Sequence, residues 1–375
     1  MKALFLIFHG FEEFNGISKK IRYQVKALQE CGLDVRTCYY AVDDLGHRKW
    51  MIDEETLVDL GTGTVAKIRK RCCYSAISDY VKKENILFVY MRSYHNSNPF
   101  TIHLVKQLKK HGAKVVMEIP TYPYDQEYIT LGAKWDLLID RCFRKSLAKQ
   151  LDAIITFSSE AVIFGQRTIQ ISNGIDFSAI KLKQKTNDTS HSIHLIGVAE
   201  IHYWHGFDRI IEGIADFSNL STYNVYFHIV GNFSGSREKE EILSSIIKNH
   251  LERFVILHGA KHGRELDELF EQADFAIGSL GRHRSGITHI KTLKNREYAA
   301  RGIPFIYSET DRDFDDQPYV IKVPADESAV DISQLIDFYR SNMWHPNEIR
   351  SSISHLSWKE QMNKVINALF KMTAK

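Results

Sequence analysis

The chain has 375 residues, 44% of them hydrophobic and 25% charged, with a formal net charge of +3. This length accommodates two domains of ordinary size, and so even a charge balance argues against a general nucleic-acid binder. No stretch approaches the roughly 18 uninterrupted apolar residues of a membrane-spanning helix, and the five cysteines show no paired CxxC spacing for zinc or redox chemistry.

The first apolar run, residues 3–8, is broken by His9-Gly10 and then by acidic residues, without a small-residue cleavage site. It reads as a buried strand and not as a signal peptide. Residues 18–31 follow with Ile21, Val25 and Leu28 at helical spacing and a stop at Gly32. Further strands are expected at 34–40, 86–91, 114–119 and 153–157. The polar stretch 181–192 reads as a linker, and a second strand series follows at 193–197, 225–230, 255–258, 275–279 and 304–307. Strands alternating with helical patterns predict parallel sheets with crossover helices. The expected fold class is α/β, with two doubly wound, Rossmann-like domains spanning 1–175 and 190–356. An amphipathic helix in 357–375 is able to dock back on the first.

Charge is uneven along the chain. Residues 1–170 carry 25 Lys+Arg against 19 Asp+Glu and the rest 24 against 27, with basic clusters at 67–71 and at Arg141, Arg144, Lys145 and Lys149.

In open α/β sheets, ligands bind at the carboxyl ends of strands, where glycine turns let backbone amides and helix N-termini approach phosphate. Three segments satisfy that rule. Phe14-Asn15-Gly16-Ile17-Ser18 leads from the first strand into a helix, and a tight turn with a serine N-cap explains it equally well. Asn173-Gly174-Ile175-Asp176 closes the first strand series and reads as well as an Asx-type turn. The third, residues 291–304, is the most informative: a basic loop precedes a helix that ends at Gly302, before Pro304 and a buried strand. Glu297 falls in the first turns of that helix, where a carboxylate can accept both hydroxyls of a ribose. Lys291, Lys294 and Arg296 suit a diphosphate. The bland reading is a solvated basic face with Glu297 in a surface pair.

The order of these pieces resembles the family 4 glycosyltransferases of the GT-B fold over most of the chain. The resemblance runs from Asn15-Gly16-Ile17 through Ser158-Ser159-Glu160, Asn173-Gly174-Ile175-Asp176 and His205-Gly206-Phe207-Asp208. It ends with Arg296-Glu297-Tyr298-Ala299-Ala300-Arg301-Gly302-Ile303-Pro304 and Ser357-Trp358. Trp204-His205-Gly206 and Lys294-Asn295-Arg296-Glu297-Tyr298 are similar to a branch found in bacterial surface-polysaccharide gene clusters. The resemblance implies two domains facing a central cleft, with a nucleotide-sugar donor bound mainly by the C-terminal one. Glu297 matches the second glutamate of a pair separated by seven residues, the one that binds the donor ribose. Thr292 and Leu293 match the loop whose amides meet the diphosphate, and Gly231 the glycine turn near the nucleotide. The chain departs from the pattern where His289 stands for the first glutamate and where Glu200 and His205 stand for the Arg and Lys that grip diphosphate. Lys294, with Arg282 or Arg284, is expected to supply the missing charge.

The same resemblance implies a retaining hexosyl transfer without a metal or other cofactor. Cations and helix N-termini hold the leaving diphosphate while the sugar passes through an oxocarbenium-like state. Asn15, Gly16 and Glu118 are expected near the reacting carbon. The strand-end position of Glu118 favours function, and a buried carboxylate satisfied by loop amides is the structural alternative. The acidic run 311–316 lacks the glycine and terminal glutamate of a calcium loop and reads as a solvated loop. The acceptor is expected to be a glycan or a lipid-linked glycan. The basic first half suits a peripheral contact with the inner face of the cell membrane, for an otherwise cytoplasmic enzyme. Two alternatives stand beside this reading: a sugar-nucleotide epimerase of the same fold, and a non-catalytic nucleotide-sugar-binding protein.

Overall fold

The computed structural model describes residues 1–10, 16–94, 97–125, 130–184, 188–342 and 345–370. The expected site residue Asn15 lies outside the described residues. The chain divides into two compact units, residues 1–172 with 358–375, and residues 173–357.

The first unit is built on β1 (Lys2–Ile7), β2 (Asp34–Val42), β3 (Arg48–Ile52), β4 (Glu55–Asp59), β5 (Phe88–Arg92), β6 (Lys114–Ile119), β7 (Ala153–Thr156), β8 (Val162–Ile163) and β9 (Gln166–Gln170). They form one sheet in the order β4-β3-β2-β1-β5-β6-β7-β9-β8. Its centre is parallel, and β1 buries five residues in succession, as a strand covered on both faces must. The hairpin β3–β4 is antiparallel and has no counterpart among the expected strands. Asp53, Glu54 and Glu55 interrupt its apolar run, so only pairing with β2 selects the extended form. The helices of this unit are α1 (Gly16–Glu30), α2 (Gly63–Cys72), α3 (Ser75–Lys83), α4 (Pro99–Lys110) and α5 (Leu131–Ala148).

Helix α12 (Trp358–Phe370) completes the first unit. Its Trp358, Met362, Val365 and Ile366 share one apolar cluster with Ile21, Ala27 and Leu28 of α1, burial of each leucine, isoleucine, valine or methionine being worth roughly 1.5–3 kcal/mol. The buried Gln361 accepts from the backbone N–H of Ser172 through Oε1 at 2.8 Å.

The second unit carries β10 (Ser192–Val198), β11 (Asn224–Val230), β12 (Val255–Gly259), β13 (Phe275–Ile277), β14 (Phe305–Tyr307) and β15 (Val320–Lys322). All pairs are parallel, in the order β12-β11-β10-β13-β14-β15. Its helices are α6 (Phe207–Ser218), α7 (Ser236–Lys248), α8 (Gly263–Gln272), α9 (Leu293–Arg301), α10 (Ile332–Arg340) and α11 (Pro346–Ser352). Ile193 and Leu195 of β10 enter one apolar cluster and Ile196 the other, so each face of the sheet has its own core. The direction of winding reverses between β10 and β13, which sets a ligand crevice at their carboxyl ends.

Three histidines on adjacent strands form a ladder. His194 Nδ1 lies 2.9 Å from His228 Nε2, and His228 Nδ1 lies 2.9 Å from His258 Nε2. Burial, then the neighbouring imidazoles, pushes His228 down to about 4. An unfolded histidine titrates near ~6.5, so between those values the unfolded chain takes up a proton that the folded one refuses. Stability is therefore full above about pH 6.5 and falls as the pH drops towards 4. Urea midpoints measured from pH 7 to pH 4.5 are expected to decline in the wild type and to decline less steeply in His228→Gln. Parallel slopes would remove the histidine from the account.

Candidate functional site

At the crevice of the second unit, glycines let loops approach closer than side chains permit. Gly231, just past β11, has φ +136° and lies so close to the loop after β10 that a Cβ would sit 1.6 Å from the Ala199 carbonyl oxygen. Gly206 has φ +63°, and a Cβ there would meet the Gly281 nitrogen at 2.7 Å. The turn at Tyr203–His205 is thereby pressed onto the loop after β13, where Leu280 N donates to His205 O at 2.9 Å and Gly281 N to Trp204 O at 3.2 Å.

This packing buries His205, which is 5% exposed. Its Nδ1 accepts from His202 N–H at 3.0 Å, so the proton resides on Nε2. Burial, then Lys294 and Arg282, holds His205 well below the usual histidine range. It is a neutral donor.

Arg282 opens a single 3-10 turn, Arg282–Ser285, with its guanidinium 5.4 Å above the Trp204 ring. Its Nε is buried without a hydrogen-bond partner. Arg284 goes elsewhere: it grips Asp208 at 2.6 and 2.9 Å and Glu327 at 3.0 Å, so its charge is already met.

Helix α9 begins beside these groups. Its N-cap residue Thr292 makes no side-chain cap, and the threonine Oγ1 is itself buried without a partner. Lys294, in the first turn, has an Nζ buried without a hydrogen bond. Burial, then Arg282, brings that amine down to about 7. Glu309 follows β14, is 2% exposed, and has no hydrogen-bond partner on either carboxylate oxygen. Burial pushes it up to about 7 against the pull of Arg282 and Lys294. Ser279 Oγ, past β13, is buried and unpartnered as well.

Unmet buried polar groups are costly, and folded chains retain few. Here two cations, a neutral imidazole, two hydroxyls, the Glu309 carboxyl and an uncapped helix N-terminus collect at the carboxyl ends of β10, β13 and β14. Such a set is suited to a polyanion, to which lysine, arginine and helix amides all donate.

The remaining expected residues divide between support and open positions. Arg296 is fully buried and bonds Asp311 at 2.6 and 3.1 Å, and Asp313 as well. It also donates to the carbonyls of Asn173 at 2.8 Å and Thr292 at 2.9 Å. Its charge is therefore committed to the fold, and the expectation that it grips a diphosphate is corrected. The reading of the acidic run is corrected in part: Asp311 is buried as the counter-ion of Arg296 and Phe314 is buried, while Arg312 and Asp316 are exposed as a solvated loop requires. Asn173 Nδ2 donates to Lys291 O at 2.6 Å, so the Asn173 tetrad anchors the loop that leads into α9. Lys291 leans on Asp313 at 3.8 Å. Leu293 is the exposed first residue of α9, and His289 is exposed beside Thr288 Oγ1 at 2.9 Å.

Glu297 accepts from Arg301 at 2.8 and 3.1 Å, and Arg301 in turn bonds Asp267 at 2.7 Å. Both bonds go to Oε1, so among the described residues Oε2 has no partner. Glu200 is exposed.

Sequence reasoning missed Glu309 and Ser279. The rule that ligands meet strand ends finds both, since each stands within two residues of a buried strand.

A sucrose-phosphate synthase from Thermosynechococcus elongatus matches at TM-score 0.66 and 15% identity, covering 100% of both chains. Anabaena HepE in complex with UDP matches at 0.64 and 12%, covering 98% of this chain and 100% of that one. The catalytic domain of starch synthase IV from Arabidopsis thaliana, bound to ADP and acarbose, matches at 0.62 and 12%, covering 99% and 98%.

The chain has the GT-B fold.

No protein-family model matches the sequence, and no curated protein matches it in sequence.

On this fold the first unit corrects a further expectation. Glu118, at the end of β6, is 0% exposed. It accepts from Gln24 Nε2 and Tyr90 Oη at 2.6 Å and from Arg92 Nη1 at 2.7 Å, with Lys20 Nζ at 3.3 Å. Burial raises its pKa, but Lys20, Arg92 and the two neutral donors more than offset this and hold it below the usual carboxylate range. A carboxylate ringed by four donors has no side open to a substrate. This geometry fits the structural alternative. Gly16 is the first residue of α1.

Proposed function

We propose that this protein is a glycosyltransferase whose second unit binds a nucleotide-sugar donor. The observation that carries the reading is the pair of half-buried cations, Lys294 and Arg282, whose Nζ and Nε are buried without a hydrogen-bond partner beside the uncapped start of α9. In this reading the diphosphate lies between Lys294, Arg282, His205 Nε2–H and the α9 amides. The ribose meets Oε2 of Glu297, oriented by Arg301. The GT-B likeness supports it, because HepE has been solved with UDP and with UDP-glucose, and starch synthase IV with ADP.

Transfer breaks the bond between the anomeric carbon and the diphosphate oxygen and forms one to an acceptor hydroxyl, whose proton passes to the departing diphosphate. Lys294 and Arg282 stabilise charge as it builds on the departing diphosphate, in a site already arranged for it. We further propose retention at the anomeric carbon, membership of family 4 with a role in surface-polysaccharide synthesis, no metal requirement, a cytoplasmic setting, and an acceptor that is a glycan or lipid-linked glycan handled by the first unit.

A thermal-shift screen with UDP, GDP, ADP and CMP tests the donor site. At 100 times its dissociation constant a bound nucleotide adds roughly 2.7 kcal/mol, so one diphosphate is expected to raise the melting temperature by several degrees. Failure of all four would overturn the reading. Release of nucleoside diphosphate only when acceptor is present then separates transfer from epimerisation and from binding alone.

A further inference from the structure

A second concentration of uncompensated charge lies in the first unit, beside the point where its sheet reverses direction between β1 and β5. A cavity of about 420 Å³ is lined by Tyr40, Thr64 and Ile68 with Arg48, Lys67, Lys70 and Arg71. Among the described residues, four cations and no carboxylate form its wall. Lys70 has its Nζ 3.9 Å from the Tyr40 ring centroid. Burial, then Arg71 and Arg48, lowers its amine to about 8. Arg48 donates to Tyr40 Oη at 2.6 Å, while its Nε is buried without a partner. Among the described residues, Arg71 alone of the four has an acidic neighbour, Asp136 at 3.7 Å, which also lines the adjoining cavity.

A solvated basic face would spread these charges into water; here two of them are drawn inside against aromatic rings, which costs free energy unless an anion arrives. Ile68, Lys70 and Arg71 also line an adjoining cavity of about 440 Å³, whose wall includes Phe8, Tyr74 and Tyr94. Phe8 follows β1 and Tyr94 follows β5, so the aromatic wall stands at the sheet's reversal. An anion hole beside aromatic faces matches one ligand form, a sugar ring carrying a phosphate: the ring lies on aromatic surface and the phosphate among Arg48, Lys70 and Arg71.

We propose that the first unit binds an acceptor bearing a phosphate, with Arg48 and Lys70 holding the phosphate and the Tyr74–Tyr94 wall holding the sugar. This names the acceptor class for the glycosyltransferase reading and rests on it. The phosphate has two sources, a soluble sugar phosphate or the head of a lipid-linked carrier.

The test is equilibrium binding to the full chain of a hexose 6-phosphate, the same hexose without phosphate, and vesicles with or without a polyprenyl phosphate. One phosphorylated probe is expected to bind at least tenfold more tightly than its unphosphorylated partner, and which one does so identifies the source. Lys70→Gln and Arg48→Gln are expected to lose that preference by tenfold or more, while nucleoside diphosphate binding in the second unit stays at the wild-type level and shows the variants folded. Equal binding of phosphorylated and unphosphorylated probes, or full preference retained in both variants, overturns the proposal. Absence of nucleoside diphosphate binding in the wild type would strike the donor reading instead.

Discussion

Lys294→Met is expected to make the protein more stable and the nucleotide site far weaker. The wild-type amine is buried without a hydrogen bond, and burial brings it down to about 7. Holding a lysine in that state costs the fold on the order of 2–4 kcal/mol, which an isosteric apolar side chain recovers in part. Binding changes the other way. Hydrogen bonds to charged groups contribute ~1.5–3 kcal/mol, so affinity for the nucleoside diphosphate should fall roughly 10- to 150-fold. The pH dependences are opposed as well. Between about pH 7 and 10 the unfolded chain binds the proton that folded Lys294 has shed, so this cost to stability shrinks as pH rises. Nucleotide binding needs the ammonium form, so wild-type affinity should weaken above pH 7, and ionisation of Glu309, also pushed to about 7, adds to that decline. Calorimetric titration at pH 6.5 and 8.5, with melting curves of both proteins, checks all of this. A variant that melts lower, or binds nucleotide as the wild type does, would sink the assignment.

Glu118→Gln is expected to damage the fold of the first unit, and any loss of turnover should follow from that. The substitution keeps the shape but removes the carboxylate charge that Lys20 and Arg92, both buried, face at 3.3 and 2.7 Å. Removing one partner of a buried ion pair costs ~3–5 kcal/mol, equivalent to a melting temperature lower by about 10 °C for a unit of this size. Acid should act in the same direction. The folded carboxyl is held below its ordinary value, so its contribution is present above about pH 4.5 and is lost as the pH falls through the folded value. A Glu118→Gln protein with unchanged melting and abolished transfer would instead restore the catalytic role expected from its strand-end position.

These two residues mark where reading along the chain stops. Both are charged and both stand at the end of a strand or the start of a helix that the apolar pattern locates. Nothing in the local sequence distinguishes them. Lys20, Gln24, Tyr90 and Arg92 come from α1 and β5, far from residue 118 in sequence, and their convergence closes that carboxylate off. Around Lys294 the opposite happens. Arg296, two residues on, draws Asp311 and Asp313 to itself and leaves Lys294 only Glu309, to which it makes no hydrogen bond. Arg284 is taken by Asp208 and Glu327, and Arg282 is not. The choice among four neighbouring cations is thus made by which carboxylates the loops deliver.

What the sequence by itself determined was periodic: runs of β-branched and aliphatic residues alternating with helical spacing, hence two doubly wound α/β units and strand ends at which ligands meet backbone amides. Periodicity is local, and burial of apolar side chains enforces it wherever the chain lies. Only the tertiary structure decided which charges are met and which stay bare. That balance depends on partners brought within about 3–4 Å from distant segments, and electrostatic and hydrogen-bonding terms have no signature along the chain until the fold sets those distances.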